Sequence, residues 1–228
     1  LIFRILLIVL LANISACTIP TTADSVVESA ISAHGDLLNY TNLKNFKYKK
    51  TSFTVDPKGA VIDTLIQYFS LPSLRQTILE TNDSLRIIFE DGAIRKSNDL
   101  PGKSKKYKRI IEGANFVFFQ PFKLKDKGAQ IEYLGQKVFD FSNSSLDYIK
   151  VTYPNSTDIW YFFFDQKTSR VKANAVDHNG KISLILNDSL QWHKKLLVHS
   201  KRRSFLSNSN FDLIRLQASY EYKMLGIE

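Results

Sequence analysis

The 228-residue chain has one cysteine, Cys17, and one methionine. With no second thiol an intrachain disulfide is impossible, so the fold must rest on its buried core. Glycine and proline number only nine and six, and no internal repeat, low-complexity tract or domain linker is visible. The apolar run at residues 5–12 has eight residues, far short of the roughly 20 that span a bilayer as a helix.

Motifs that carry chemistry are missing too. There is no G-x-G-x-x-G, no P-loop and no G-x-S-x-G elbow to position a serine. The four histidines, His34, His178, His193 and His199, make neither H-x-x-x-H nor H-E-x-x-H spacing. His193 and His199 lie six apart in a strand region, about 20 Å at strand rise, too far to share a metal. The paired carboxylates Glu90-Asp91 precede Gly92 and read as a turn. The expectation is therefore a non-enzymatic protein with no catalytic residues, no metal site and no cofactor. His34 is expected to end a helix, where an imidazolium suits the dipole.

What is present begins at the N-terminus. Residues 5–12 match the 7–15-residue apolar core of a secretory signal, and Ile14-Ser15-Ala16-Cys17 follows. This tetrad resembles the lipobox of bacterial lipoproteins: aliphatic, small, small, cysteine. The resemblance implies a signal peptide over residues 1–16, acyl chains on Cys17, a lipidated tether over 17–23 and one domain over 24–228. Two or more acyl chains anchor a protein stably to a membrane. Thr18 stands where an Asp would suggest inner-membrane retention, so the expected location is the outer membrane, facing the periplasm.

The net charge is +9, with basic clusters at residues 103–109 and at Lys201-Arg202-Arg203. Export argues against nucleic acid as a partner. Contact with anionic headgroups is one reading of the clusters, and a solvated charged face is the other.

Val27, Ala30, Ile31 and His34 fall at helical spacing, with Ser25 and Glu28 as a capping box and Gly35 as a stop. From about residue 44 the period changes to that of strands. Segments at 45–55, 60–70, 74–80, 84–90, 130–139, 146–153, 158–165, 168–177, 181–190, 194–200 and 218–224 alternate with turn signals such as Asp91-Gly92 and Asn179-Gly180. This spacing implies an antiparallel meander. In 182–190 and 147–153 the alternation predicts strands with one wet face. Residues 159–164, IWYFFF, are apolar on both faces and should be covered on both sides. Between the two strand groups, Tyr107, Ile110, Ile111 and Ala114 suit a helical stripe that covers a sheet face or plugs an open barrel.

Three stretches, AISAHGDLLNYTNLKNFKYKKTSF (30–53), FVFFQPFKLKDKGAQIEYLGQKVF (116–139) and YIKVTYP…STDIWYFFFDQKTSRVKA (148–173), together resemble an uncharacterised domain family of Bacteroidota lipoproteins. The short helix ending in His-Gly, followed by a long meander, is similar to the wider LolA/LolB-like lipoprotein-carrier superfamily. The resemblance implies a mainly β (α+β) fold: a strongly curved antiparallel sheet forming an incomplete barrel, closed by one or two helices around an apolar cavity. In carrier members that cavity holds acyl chains. Aromatic residues are abundant, and Phe116, Phe118, Phe119, Trp160, Phe162 and Phe164 are the candidates to line a cavity for a lipid or other apolar small molecule. Plain core is the competing reading, since aromatics dominate core energetics. A monomer is expected. A structural or interaction lipoprotein that docks an envelope partner is the alternative function.

Overall fold

The computed structural model describes residues 21–99, 102–154 and 156–226. Residues 1–16, expected to be a signal peptide, and Cys17 lie outside these residues. The elements are α1 (Ala23–Ala33), α2 (Leu37–Thr41), β1 (Lys44–Val55), β2 (Val61–Ser73), β3 (Gln76–Thr81), β4 (Arg86–Glu90), β5 (Ala93–Ser97), α3 (Ser104–Phe118), a 3₁₀ turn (Phe122–Lys125), β6 (Gln130–Val138), β7 (Ser145–Thr152), β8 (Ile159–Asp165), β9 (Val171–His178), β10 (Lys181–His193), β11 (Leu196–Ser207) and β12 (Leu213–Leu225).

All twelve strands form one antiparallel sheet in the order β5-β4-β3-β2-β1-β12-β11-β10-β9-β8-β7-β6. Two meanders, β1 to β5 and β6 to β12, are zipped together where β1 pairs with β12. The two open edges are therefore β5 and β6, and the chain must cross from one to the other. It does so through α3. Asn115 on α3 donates to Thr77 of β3, and Phe116 packs on Trp160 of β8. β3 and β8 are seven places apart in the sheet, about 34 Å if it were flat. A helix about 10 Å across reaches both only because the sheet curls around it. The result is an open half-barrel with α3 lying in its concavity, as the resemblance implied.

α1 forms because Thr22 caps it: its hydroxyl accepts from the Ser25 backbone N–H, and Ser25 returns the bond. The capping box thus uses Thr22 and Ser25, one turn earlier than Ser25 and Glu28. Val26, Val27, Ala30 and Ile31 are its buried face. The helix stops at Gly35 (φ +108°), where a Cβ would meet the Lys195 carbonyl oxygen at 2.0 Å. The Leu197 N–H donates to the His34 carbonyl, so the end of α1 is tied to the β10–β11 hairpin.

Most strands lie where expected, and the differences have local causes. β5 was not anticipated: it is a short edge strand with exposed Arg95 and Lys96, the charged chemistry that keeps edges from pairing further. α2 is a single extra turn. β10 and β11 run past 190 and 200 because bulges at Asn187–Ser189 and Ser189–Leu190 break the alternation. β12 begins earlier, at Leu213.

Two clusters hold the fold. The larger fills the concavity between α1, α3 and the sheet. The smaller sits on the convex face of β7 to β10, where Phe139 and Phe211 pack on Phe163, Leu146, Ala173, Ala175, Ile182 and Leu184. β8 is thus covered on both sides, as IWYFFF implied. The wet faces expected for β7 and β10 are corrected: Tyr148 packs on Phe139, and Asn187, on the face opposite Leu184, is buried in the concavity. Burying one such Phe contributes roughly 1.5–3 kcal/mol.

Candidate ligand cavity beneath helix α3

The C-terminal half of α3 is riveted to the sheet. Phe118 stacks on Tyr48 with ring centroids 4.1 Å apart, and Tyr48 stacks in turn on Phe69 at 4.9 Å. Phe46 contacts both Phe118 and Phe119 edge-on. Of the six candidate lining residues, Phe118, Phe119, Phe162 and Phe164 lie fully inside this solid core. Phe116 and Trp160 are half-buried and border open space.

Three cavities follow the helix. One of about 650 Å³ lies against β2 and β3, with Leu65, Leu79, Leu85, Tyr107 and Ile110 on its wall beside polar residues that include Asp83, Asp99 and Lys106. A second, about 800 Å³, opens between the ends of β3–β4 and β7–β8, and has Phe116 and Trp160 on its wall beside Arg75, Arg109, Glu112 and Lys123. The third, about 230 Å³, sits directly under the helix axis. Its roof is Ile110, Gly113, Ala114 and Val117; its floor is Tyr48, Lys50, Gln67, Ile185, Arg202, Tyr220 and Tyr222. It shares Ile110 and Gln67 with the first cavity and Gly113 with the second. Two of the four helix residues on its wall are small, the exposed Gly113 and the half-buried Ala114. A Cβ added to Gly113 meets nothing within 4 Å.

The floor is charged. Arg202 is 1 % exposed, although the basic run 201–203 reads as a solvated face. Strand alternation explains it: Lys201 and Arg203 point out to Glu221 and Asp188, and Arg202 points in. Its guanidinium donates to Asn187 Oδ1 at 2.8 Å, to Asn174 Oδ1 and to the Val117 carbonyl oxygen at 3.2 Å. All three acceptors are neutral. Burial lowers its pKa, but a guanidinium stays protonated in a protein. Lys50 sits across β12 from it, its ammonium over the Tyr220 ring at 5.1 Å. The residue is half-buried, and desolvation of the ammonium, with the Arg202 charge beside it, pulls the pKa down to about 8. Among the described residues neither cation has a carboxylate partner. The Tyr48 hydroxyl, on the same floor, is fully buried without a hydrogen-bond partner.

The histidines take other roles. His34 caps α1 but is fully buried, and desolvation lowers its pKa to about 4, so the expected imidazolium is a neutral ring that bonds the Ala30 carbonyl oxygen at 2.8 Å. His193 ends β10 and His199 lies on β11, on opposite arms of a hairpin. Burial holds His199 well below the usual range, with Arg202 and His34 adding to the effect. Among the described residues no group of three His, Cys, Asp or Glu could hold a metal ion.

Lys50, Arg202, Tyr48 and Gly113 were not singled out from sequence. The readable signal was strand period: Tyr48 and Lys50 alternate on one face of β1, and Arg202 alternates against two exposed neighbours.

No family model and no curated protein matches the chain. Solved structures do. A LolA superfamily protein from Nitrosomonas europaea superposes with a TM-score of 0.60 at 11 % identity, over 90 % of this chain and 93 % of that one. A domain named for outer membrane lipoprotein sorting, from Vibrio parahaemolyticus, superposes with a TM-score of 0.52 at 11 % identity, over 89 % and 91 %. At such identities the likeness is one of fold, and the fold is LolA-like.

Proposed function

We propose that this protein is a non-enzymatic lipoprotein of the cell envelope that binds a lipid or another apolar molecule beneath α3. The observation that carries the reading is the hollow under the helix. In a chain rich in large aromatics, about 230 Å³ between α3 and the sheet stays unfilled, bordered by Ala114 and by the exposed Gly113. The names of the two fold neighbours, a LolA superfamily protein and a lipoprotein-sorting domain, are consistent with it. Acyl chains on Cys17 anchor the protein, Thr18 directs it to the outer membrane, and it faces the periplasm as a monomer. The similarity to a Bacteroidota lipoprotein family points the same way.

The test is native mass spectrometry of the full chain purified from cell envelopes, with organic extraction of whatever accompanies it. A stoichiometric lipid is expected, and Ala114→Leu, which adds bulk to the helix wall of the hollow, should lose it with an unchanged circular dichroism spectrum. An empty protein that also takes up no offered fatty acid overturns the reading. Cys17→Ala should release the protein from the membrane fraction.

A second reading, docking of an envelope partner, is favoured by one observation. Val61, Ile62 and Leu65 on β2 and Leu213 and Ile214 on β12 are exposed apolar residues flanking β1. A photo-cross-linker at Ile62 that captures one dominant envelope protein would support it.

A further inference from the structure

The cation pair on the cavity floor needs explaining. Placing a charge out of water is costly unless an opposite charge meets it. Here two cations share one small cavity and no anion answers them. Arg202 is hydrogen-bonded to Asn187, Asn174, the Val117 carbonyl and the Tyr222 hydroxyl, all neutral groups that leave its charge uncompensated. Lys50 donates no hydrogen bond to any described residue. The Tyr48 hydroxyl is another unused donor, fully buried on the same floor. Two cations and a phenol converging on one partly covered hollow are what an oxyanion requires.

We infer that the cavity under Gly113 is the headgroup site for an anionic amphiphile: an apolar chain ending in a carboxylate or phosphate, gripped by Lys50, Arg202 and Tyr48. About 230 Å³ holds such a head and a short length of chain. The tail continues past Ile110 and Gln67, which both cavities share, into the 650 Å³ space lined by Leu65, Leu79 and Leu85. The inference rests on the reading of this space as a ligand cavity and adds polarity and direction to it: head under α3, tail toward β3. The lowered Lys50 pKa is consistent with a cation that lacks its partner.

The test measures affinity by native mass spectrometry for five probes below their micellar concentrations: hexadecyl phosphate, palmitate, hexadecanol, hexadecyltrimethylammonium and inorganic phosphate. Arg202→Gln strips two buried asparagines of their donor and endangers the fold, so the working variant is Lys50→Gln. That residue is half-buried and makes no hydrogen bond to lose. Hexadecyl phosphate and palmitate should bind at least about tenfold more tightly than hexadecanol, and the ammonium probe most weakly. Lys50→Gln should weaken both anions about tenfold and leave hexadecanol unchanged. If hexadecanol equals hexadecyl phosphate and Lys50→Gln changes neither, the headgroup site is overturned while the apolar cavity stands. If inorganic phosphate binds as tightly as hexadecyl phosphate and is lost in Lys50→Gln, the site is an anion site whose source is free phosphate, and the amphiphile is overturned. No binding in any arm overturns both readings.

Discussion

Around Phe118 the space between α3 and the sheet is filled; around Gly113, further up the same helix, it is hollow. The filled end uses Phe46, Tyr48, Phe69, Phe118 and Phe119, all at most 1 % exposed, with rings stacked or edge-on at 4.1 to 5.9 Å. The hollow uses Gly113, Ala114, Lys50 and Arg202. Large aromatics therefore mark where the helix is clamped, and small residues over cations mark the hollow proposed to take a ligand. Aromatic abundance, taken alone as a sign of a ligand site, points mainly to the clamp.

The contrast is sharpest in stability. Phe118→Ala should cost about 3–5 kcal/mol, because its cavity would open inside a packed ring cluster. Ile110→Ala, at the edge of an existing hollow, should cost less than about 2 kcal/mol, since its side chain is only partly buried. Urea denaturation of the two variants measures the gap. Equal costs would mean that the hollow is as tightly packed as the clamp.

Acid should attack the packed region next. His34 and His199 are buried and neutral in the fold, held down chiefly by desolvation. In the unfolded chain each titrates near 6.5. As pH falls below 6.5 the unfolded state binds protons that the folded state refuses, so stability is fully present above 6.5 and declines toward pH 4. For His34, with its folded value near 4, the loss is of order 3 kcal/mol across that window. His199→Leu should flatten the decline: neither ring nitrogen has a hydrogen-bond partner among the described residues, so an apolar replacement orphans nothing. Thermal unfolding at a series of pH values would show it, and an unaltered slope in the variant would refute the assignment.

How much of this was legible in the chain differs between the same two regions. The strands could be read because period-2 alternation and aromatic runs are local signals: IWYFFF announces a strand covered twice, whereas Phe118 and Phe119 read as cavity lining and pack as the clamp. The hollow could not, because it is made by residues distant in sequence whose meaning is collective. Lys50 stands within Lys47-Tyr48-Lys49-Lys50 and Arg202 within Lys201-Arg202-Arg203, where each looks like one more surface cation. Only the register of β1, β12 and β11, which sets Lys50 opposite Tyr222 and Arg202 opposite Tyr220, brings them onto one floor. Bulges obscured the rest, since each reverses the faces that alternation predicts.

The smallest effect is the one most specific to the hollow. Glycine inside a helix costs about 1 kcal/mol relative to alanine, and at Gly113 nothing lies within 4 Å of the added methyl group. Gly113→Ala should therefore stabilise the ligand-free protein by up to about 1 kcal/mol, raising Tm by about 2–4 °C. Gly113 is exposed but borders the hollow proposed for the ligand, so a ligand seated against the helix here should bind the variant less tightly even as stability rises. A clamp position cannot behave this way, because added volume there forces neighbouring rings apart and lowers Tm. Opposite signs for Tm and affinity at one residue would locate the ligand under Gly113. A Gly113→Ala protein that loses stability would show instead that the helix and sheet are closed together at that point.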